Sequence, residues 1–157
     1  MFEPGTFVAE HVTPTTDEQV QPNGVDLTLG TVFEQTTPGR IGRDGKALGE
    51  RRERRPGDGA FALPPGAYVV EYGETIGVPE DHVGFLLPRS SLLRNSCTLN
   101  TAVWDAGYEG RGEGLLQVGH RIEIEPGARI AQLVFAEADH AGTYGGDYQG
   151  EGSFHNR

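Results

Sequence analysis

The segment Arg89-Ser90-Ser91-Leu92-Leu93-Arg94 places two guanidiniums and two hydroxyls within six residues. Guanidinium forks pair with phosphate oxygens and hydroxyls donate between them, so the set suits an anion with many oxygens. Farther on, a lone carboxylate, Asp105, stands in the turn-rich run Ala102-Val103-Trp104-Asp105-Ala106-Gly107-Tyr108. A phosphate grip followed by one acid reads as nucleotide chemistry. Each piece also has a plainer reading. Ser90 or Ser91 could cap a short helix, and Asp105-Ala106-Gly107 could be a turn that uses its aspartate for a side-chain-to-backbone bond. The combination and its order carry the information.

The elements that must position these groups are short. Val83 to Leu87 is an apolar run that delivers the grip, and Ser90 to Arg94 is expected to form one short helix facing an anion, with Leu92 and Leu93 in the core. Thr98 to Trp104, Leu115 to Val118, Ile122 to Ile124 and Ile130 to Phe135 read as strands, with Pro126-Gly127 turning the last two into a hairpin. Upstream, Val25-Asp26-Leu27-Thr28-Leu29 alternates strictly. That predicts a half-buried strand with Asp26 and Thr28 on the face opposite the valine and leucines. Phe61 to Glu71 adds strand around the turn at Pro64-Pro65-Gly66, and Thr16 to Gln19 can open one helical turn. With 10 prolines, 24 glycines and brief apolar runs, the 157 residues predict one all-β domain.

Charge narrows the partners. The formal net charge is −10, yet seven of the 13 basic residues lie between Arg40 and Arg55, and Lys46 is the only lysine. The remaining surface must be strongly acidic, which argues against nucleic acid as a partner. Concentrated salt screens such self-repulsion, so a halophilic origin is expected. No apolar run approaches a membrane span and no secretory leader is expected. A single cysteine, Cys97, fits a reducing cytoplasm.

Two segments lack an apolar pattern. Thr36 to Gly59 reads as a long surface loop or hairpin, with a surface insertion at 40–59. Its Arg51–Arg55 run is charged enough to attract phosphates, but a solvated face is the simpler reading, and no site is assigned there. The glycine-rich tail, 142–157, carries Tyr144, Tyr148 and Phe154. It reads either as a frayed terminus or as a flexible arm that folds over bound nucleotide.

The stretches QPNGVDLTLG, PRSSLLR, TAVWDAGYEG and RIAQLVF, in this order, resemble the dUTPase and dCTP deaminase superfamily. The likeness is greatest to archaeal dUTPases built on a deaminase-like framework. It runs from about Gln19 to Gln149, with a divergent middle near Arg40 to Gly59. The resemblance implies a distorted jelly-roll β-barrel with one or two short helices, usually a homotrimer with sites between subunits. It implies hydrolysis of dUTP to dUMP and pyrophosphate with Mg²⁺. Asp105 would then activate the water that attacks the α-phosphorus, and Tyr108 would pack under the deoxyribose and exclude a 2′-hydroxyl. Arg89, Ser90, Ser91 and Arg94 would bind phosphates, and Gln132 would help hold phosphate or the arm. Ala102 and nearby backbone would read uracil, with Gln117 as a structural or uracil-reading amide. Tyr144, Tyr148 and Gln149 would contact nucleotide from the arm. Asp26 would help fix the site and, through water, the magnesium. Trp104 reads as core or as a nucleotide contact.

The same superfamily also deaminates dCTP. The zinc route needs paired His or Cys ligands, whereas His11, His82, His120, His140 and His155 are scattered and Cys97 stands alone. The superfamily's own deaminases use a glutamate base on the strand after the Asp105 turn. Here that strand offers Gln117, an amide that cannot take a proton from water, and Glu113 lies off the deaminase spacing, so its side chain need not point inward. The chain therefore reads as a dUTPase without deaminase activity. A dCTP deaminase or bifunctional enzyme remains one alternative. A nucleotide-binding regulator, which would keep the grip without needing Asp105, is another.

Overall fold

The computed structural model describes residues 1–152. The chain opens with α1 (Gly5–Ala9), β1 (Val12–Thr13), a 3-10 turn at Asp17–Gln19 and β2 (Val20–Gln21). The long β3 (Gly24–Gln35) follows, then β4 (Arg40–Gly42), β5 (Gly45–Ala47) and β6 (Arg51–Arg54). Next come β7 (Phe61–Leu63), β8 (Gly66–Tyr72), β9 (Thr75–Gly77), β10 (His82–Pro88), α2 (Ser90–Arg94) and β11 (Cys97–Asn100). The series ends with β12 (Glu109–Gly110), β13 (Glu113–Val118), β14 (Ile122–Ile124) and β15 (Arg129–Glu137).

Six antiparallel strands run in the order β10-β15-β3-β8-β13-β11, with β2 and β6 also paired to β3. The two ends of this sheet curl together. Gly84 of β10 donates to the Trp104 carbonyl at 2.8 Å and accepts from the Trp104 amide at 3.1 Å, so the segment after β11 nearly closes a barrel. Leu27, Leu29, Val70, Leu116, Leu133 and Phe135 fill its interior, each no more than 1% exposed. An all-β barrel with short helices is what the punctuated apolar pattern predicts, because closure satisfies edge strands that would otherwise stay unpaired.

Several local expectations change. Asp26 does not lie on an open face: it is 1% exposed, since β15 flanks β3 and the buried Gln19 side chain covers this stretch. Within α2, Leu92 is buried, but Leu93 is 57% exposed. Neither serine caps this helix; Arg89 occupies the N-cap position and makes no side-chain cap bond. Strand β11 stops at Asn100, and Trp104 pairs with the sheet through a single bridge to Gly84. The Pro126-Gly127 turn joins no hairpin, because β14 pairs with β7 while β15 enters the main sheet between β10 and β3. The segment 40–59 contains the β4–β5 hairpin, and β6 then rejoins the sheet against β3. The turn near Thr16 forms as expected, with Thr16 and Gln19 in a reciprocal capping box. Helix α1 carries no such signal, as Pro4 precedes it without a cap bond and its first turn lacks acids.

Candidate functional site

Asp105 is presented by a turn whose neighbours are pinned. Trp104 is fixed by Gly84, Ala106 is 1% exposed, and the Asp105 carbonyl accepts from Tyr108 N–H at 3.2 Å. Gly107 has φ +78°, and its N–H donates to Val78 at 2.9 Å. A side chain there would be strained in this left-handed conformation. With both flanks held, the Asp105 side chain projects outward. Its carboxylate makes no hydrogen bond or ion pair among the described residues.

Beside it opens a cavity of about 400 Å³. Ala102, Asp105, Tyr108, Tyr144 and Tyr148 line it together. Trp104 meets Tyr108 edge-on at 5.1 Å, and Tyr108 meets Tyr144 edge-on at 5.5 Å. Gly112, at φ +66°, makes room for this stack, because a Cβ there would lie 2.2 Å from Trp104 Cη2. Trp104 is thus both buried and part of the wall. Tyr108 Oη donates to Glu151 Oε1 at 2.8 Å. Burial pushes the Tyr108 hydroxyl above its ordinary range, and the Glu151 carboxylate strengthens the effect. Burial likewise raises Glu151, against the lowering by the Tyr108 bond and with added repulsion from Glu113 and Glu71.

Two further wall residues escape sequence reasoning, Leu48 and Arg51 from the basic segment, and they are joined by Glu113 from the start of β13. Glu113 does face the cavity. Arg51 Nη1 donates to both its oxygens, at 2.7 and 2.8 Å. The pairing of β6 with β3 brings Arg51 here, a contact that no local pattern announces.

The tail is docked across the same turn through residue 152. Tyr144 N–H donates to Ala106 at 2.6 Å, Gly150 N–H to Glu109 at 2.7 Å, and Arg111 N–H to Glu151 at 3.0 Å. Gln149 donates its amide to the Gly107 carbonyl at 3.0 Å and accepts from Glu109 N–H at 3.1 Å. Phe154 lies outside the described residues.

The cluster around Arg89, expected from the sequence to hold phosphates, is built differently. Arg89 Nε lies 3.1 Å from Asp26 Oδ2, and Arg129 Nη1 lies 3.4 Å from the same oxygen. Gln132 sits across from Asp26 in register, and its side chain favours the ionised carboxylate. Burial raises the Asp26 pKa, opposed by Arg89, Arg129 and Gln132. A second buried acid, Glu74, anchors the strand around it. It accepts from Thr28 N–H at 2.9 Å, Thr28 Oγ1 at 2.7 Å and Gln19 Nε2 at 2.8 Å. Ser90, Ser91 and Arg94 are exposed, and their side chains make no hydrogen bond among the described residues.

None of these grip residues lines the Asp105 cavity. Gln117 stands apart from both, outward on β13, accepting from Asn100 Nδ2 at 3.0 Å beside a shallow groove with Leu93 and Thr98. The residues do not fit a resident metal. Among the described residues no group of three or more His, Cys, Asp or Glu side chains could hold one, and Asp26 is enclosed by two guanidiniums.

A family described as dCTP deaminase-like matches residues 6–138. The probable deoxyuridine 5′-triphosphate nucleotidohydrolase of Halobacterium salinarum is 57% identical, over 96% of this chain and 95% of its own length. The probable enzyme of the same description from Aeropyrum pernix is 44% identical, over 85% and 86%. Among solved structures, the 2′-deoxycytidine 5′-triphosphate deaminase of Agrobacterium tumefaciens aligns with a TM-score of 0.65 at 19% identity, covering 87% of this chain and 48% of that one. At that identity the likeness speaks for the fold.

Proposed function

The chain belongs to the dCTP deaminase-like family, and from that premise we propose its reaction: it is a hydrolase that converts dUTP to dUMP and pyrophosphate. The observation that carries this is the Asp105 carboxylate, unpaired among the described residues, at the edge of an aromatic cavity of nucleoside size. Asp105 accepts a proton from water as the water oxygen bonds to the α-phosphorus, and the bond from that phosphorus to the bridging oxygen of pyrophosphate breaks. Tyr108 supports the deoxyribose. Ala102 and adjacent backbone read the base, and Tyr144, Tyr148 and Gln149 cover it from the arm.

Arg89, Ser90, Ser91 and Arg94 take the phosphates, with Arg89 pre-set by Asp26 and Gln132. The substrate is dUTP with Mg²⁺ on its own phosphate oxygens, a form that needs no preformed protein site. The cavity and the grip lie apart on one chain, which supports a homotrimer whose sites form between subunits, the grip of one chain serving the cavity of another. We place the protein in the cytoplasm of a salt-adapted cell; no helix among the described residues is long and apolar enough to cross a membrane. Nucleic acid is no partner, given the net charge of −10.

Separate incubation with dUTP and dCTP, with Mg²⁺ at high salt, tests the reading. It predicts dUMP and pyrophosphate from dUTP, and no change in dCTP. dUMP from dCTP would make Glu113 or another group a working base and overturn the reading of β13 as a strand without one. No product from either nucleotide would leave a binding protein.

A further inference from the structure

The β4–β5 hairpin has no packing reason to sit where it does. All six of its strand residues are exposed, and Ile41 is 93% exposed. A two-stranded hairpin without a buried face is marginal in water. Its base is tied to β3 and β6, since Gln35 Nε2 donates to the Thr37 carbonyl at 2.8 Å and Thr36 donates both its N–H and its hydroxyl to the Glu50 carbonyl. Its far strand reaches the arm instead. Lys46 Nζ lies 2.8 Å from Asp147 Oδ2, donates to Tyr148 Oη at 3.2 Å, and stands 4.6 Å from the centre of the Tyr148 ring. Leu48, two residues on, lines the cavity beside Tyr148.

The arm is thereby held from two sides. One side is the set of bonds from Gln149, Gly150 and Glu151 to the turn that carries Asp105. Lys46 supplies the other, beyond the flexible pair Gly145-Gly146. We propose that Lys46 is a positioning residue that fastens the C-terminal arm of its own chain across the mouth of the Asp105 cavity, so that the basic insertion sets how tightly the nucleotide is held. This rests on the dUTPase reading for its kinetic consequence but not for the fastening itself. Lys46 does not itself line the cavity and does not touch Asp105; it acts through Asp147 and Tyr148, so its effect falls on binding and leaves the chemical step alone.

Both partners are solvated, with side chains 44% and 74% exposed, so the fastening is weak and screened by salt. A weak clasp suits an arm that must release product. The experiment pairs kinetics with hydrogen exchange on the assembled full-length protein. In Lys46→Met, KM for dUTP rises about two- to fivefold at low salt with kcat unchanged, the span expected for one exposed ion pair. The difference closes as salt rises, and Lys46→Arg restores the wild-type KM. Combining Lys46→Met with Asp147→Asn does no more than either alone. Without nucleotide, amides of residues 144–150 exchange faster in Lys46→Met than in wild type. Unchanged exchange overturns the clasp, as does a loss confined to kcat. Faster exchange in a protein that does not turn over dUTP keeps the clasp and sinks the assigned reaction.

Discussion

The Asp105 cavity and the Arg89 grip solve opposite electrostatic problems. The cavity wall carries Asp105, Glu113 and Glu151 against one cation among the described residues, Arg51, whose charge is already matched by Glu113. Such a wall accepts a neutral base and sugar and repels a triphosphate. The grip gathers Arg89 and Arg129 on one buried carboxylate and leaves Arg94 and two hydroxyls facing water. Each region is unfit for half of a nucleotide. The difference locates flexibility as well: the cavity is completed by a hairpin and an arm, whereas the grip rests on barrel strands and buried hydrogen bonds. On the proposed reaction, a water aimed at phosphorus would draw its precision from the grip and its access from the cavity.

The sharpest way to separate the two is to remove the acid. Asp105→Asn is expected to cut kcat about 10²- to 10⁴-fold while binding of a non-hydrolysable dUTP analogue stays near wild type. Full activity would end its assignment as the base. Asp26→Asn strikes the other region through stability. It leaves two guanidiniums without their counter-charge, at a cost on the order of 3 kcal/mol, the low end because each keeps about a third of its surface in water. Calorimetry should show Tm lower by about 6–12 °C. An unshifted Tm would mean that the buried carboxylate is not what organises the grip.

Arg94→Ala, at an exposed position, should leave Tm alone and raise KM about tenfold or more, the loss of one charged phosphate contact. Mixing this variant with Asp105→Asn tests whether the regions serve each other across subunits. At dUTP below KM, random assembly would restore about a quarter of wild-type sites. No recovery would put both halves of a site on one chain. The smallest effect belongs to neither region. His82, 3% exposed, is clamped between Asp81 at 2.7 Å and Glu3 at 3.1 Å. Burial lowers its pKa, but these two bonds outweigh it and the net shift is upward. Its stabilisation is complete below the ordinary value of 6.5 and is lost as pH rises through the raised folded value. Tm should fall modestly over that window in wild type and stay flat in His82→Gln, with KM for dUTP indifferent to the substitution.

How much of this was legible in the chain depends on range. The short helix after Arg89 and the glycine turn that presents Asp105 were, because local spacing sets an Arg-Ser-Ser helix start and a glycine turn. Asp26 looked like a residue of an open face, since alternation reports one covered side and cannot see that the Gln19 side chain covers the other. Arg51 hid in a charge run, and only the register of β6 on β3 carries it to Glu113. Leu93 looked like core because five helical residues have too few turns to declare which leucine faces in. The β14–β15 hairpin failed for a related reason: a turn fixes reversal, while sheet partners are chosen by burial of Ile130, Leu133 and Phe135.

The barrel seam has one more consequence. Trp104, the sole tryptophan, is 7% exposed at the bridge to Gly84 and lies edge-on to Tyr108 on the cavity wall. An indole sealed from water emits at short wavelength, and any ligand arriving on that wall changes what surrounds it. The protein thus carries an unlabelled optical gauge of that cavity; on the proposed reaction, stopped flow would read it before any phosphate bond has broken.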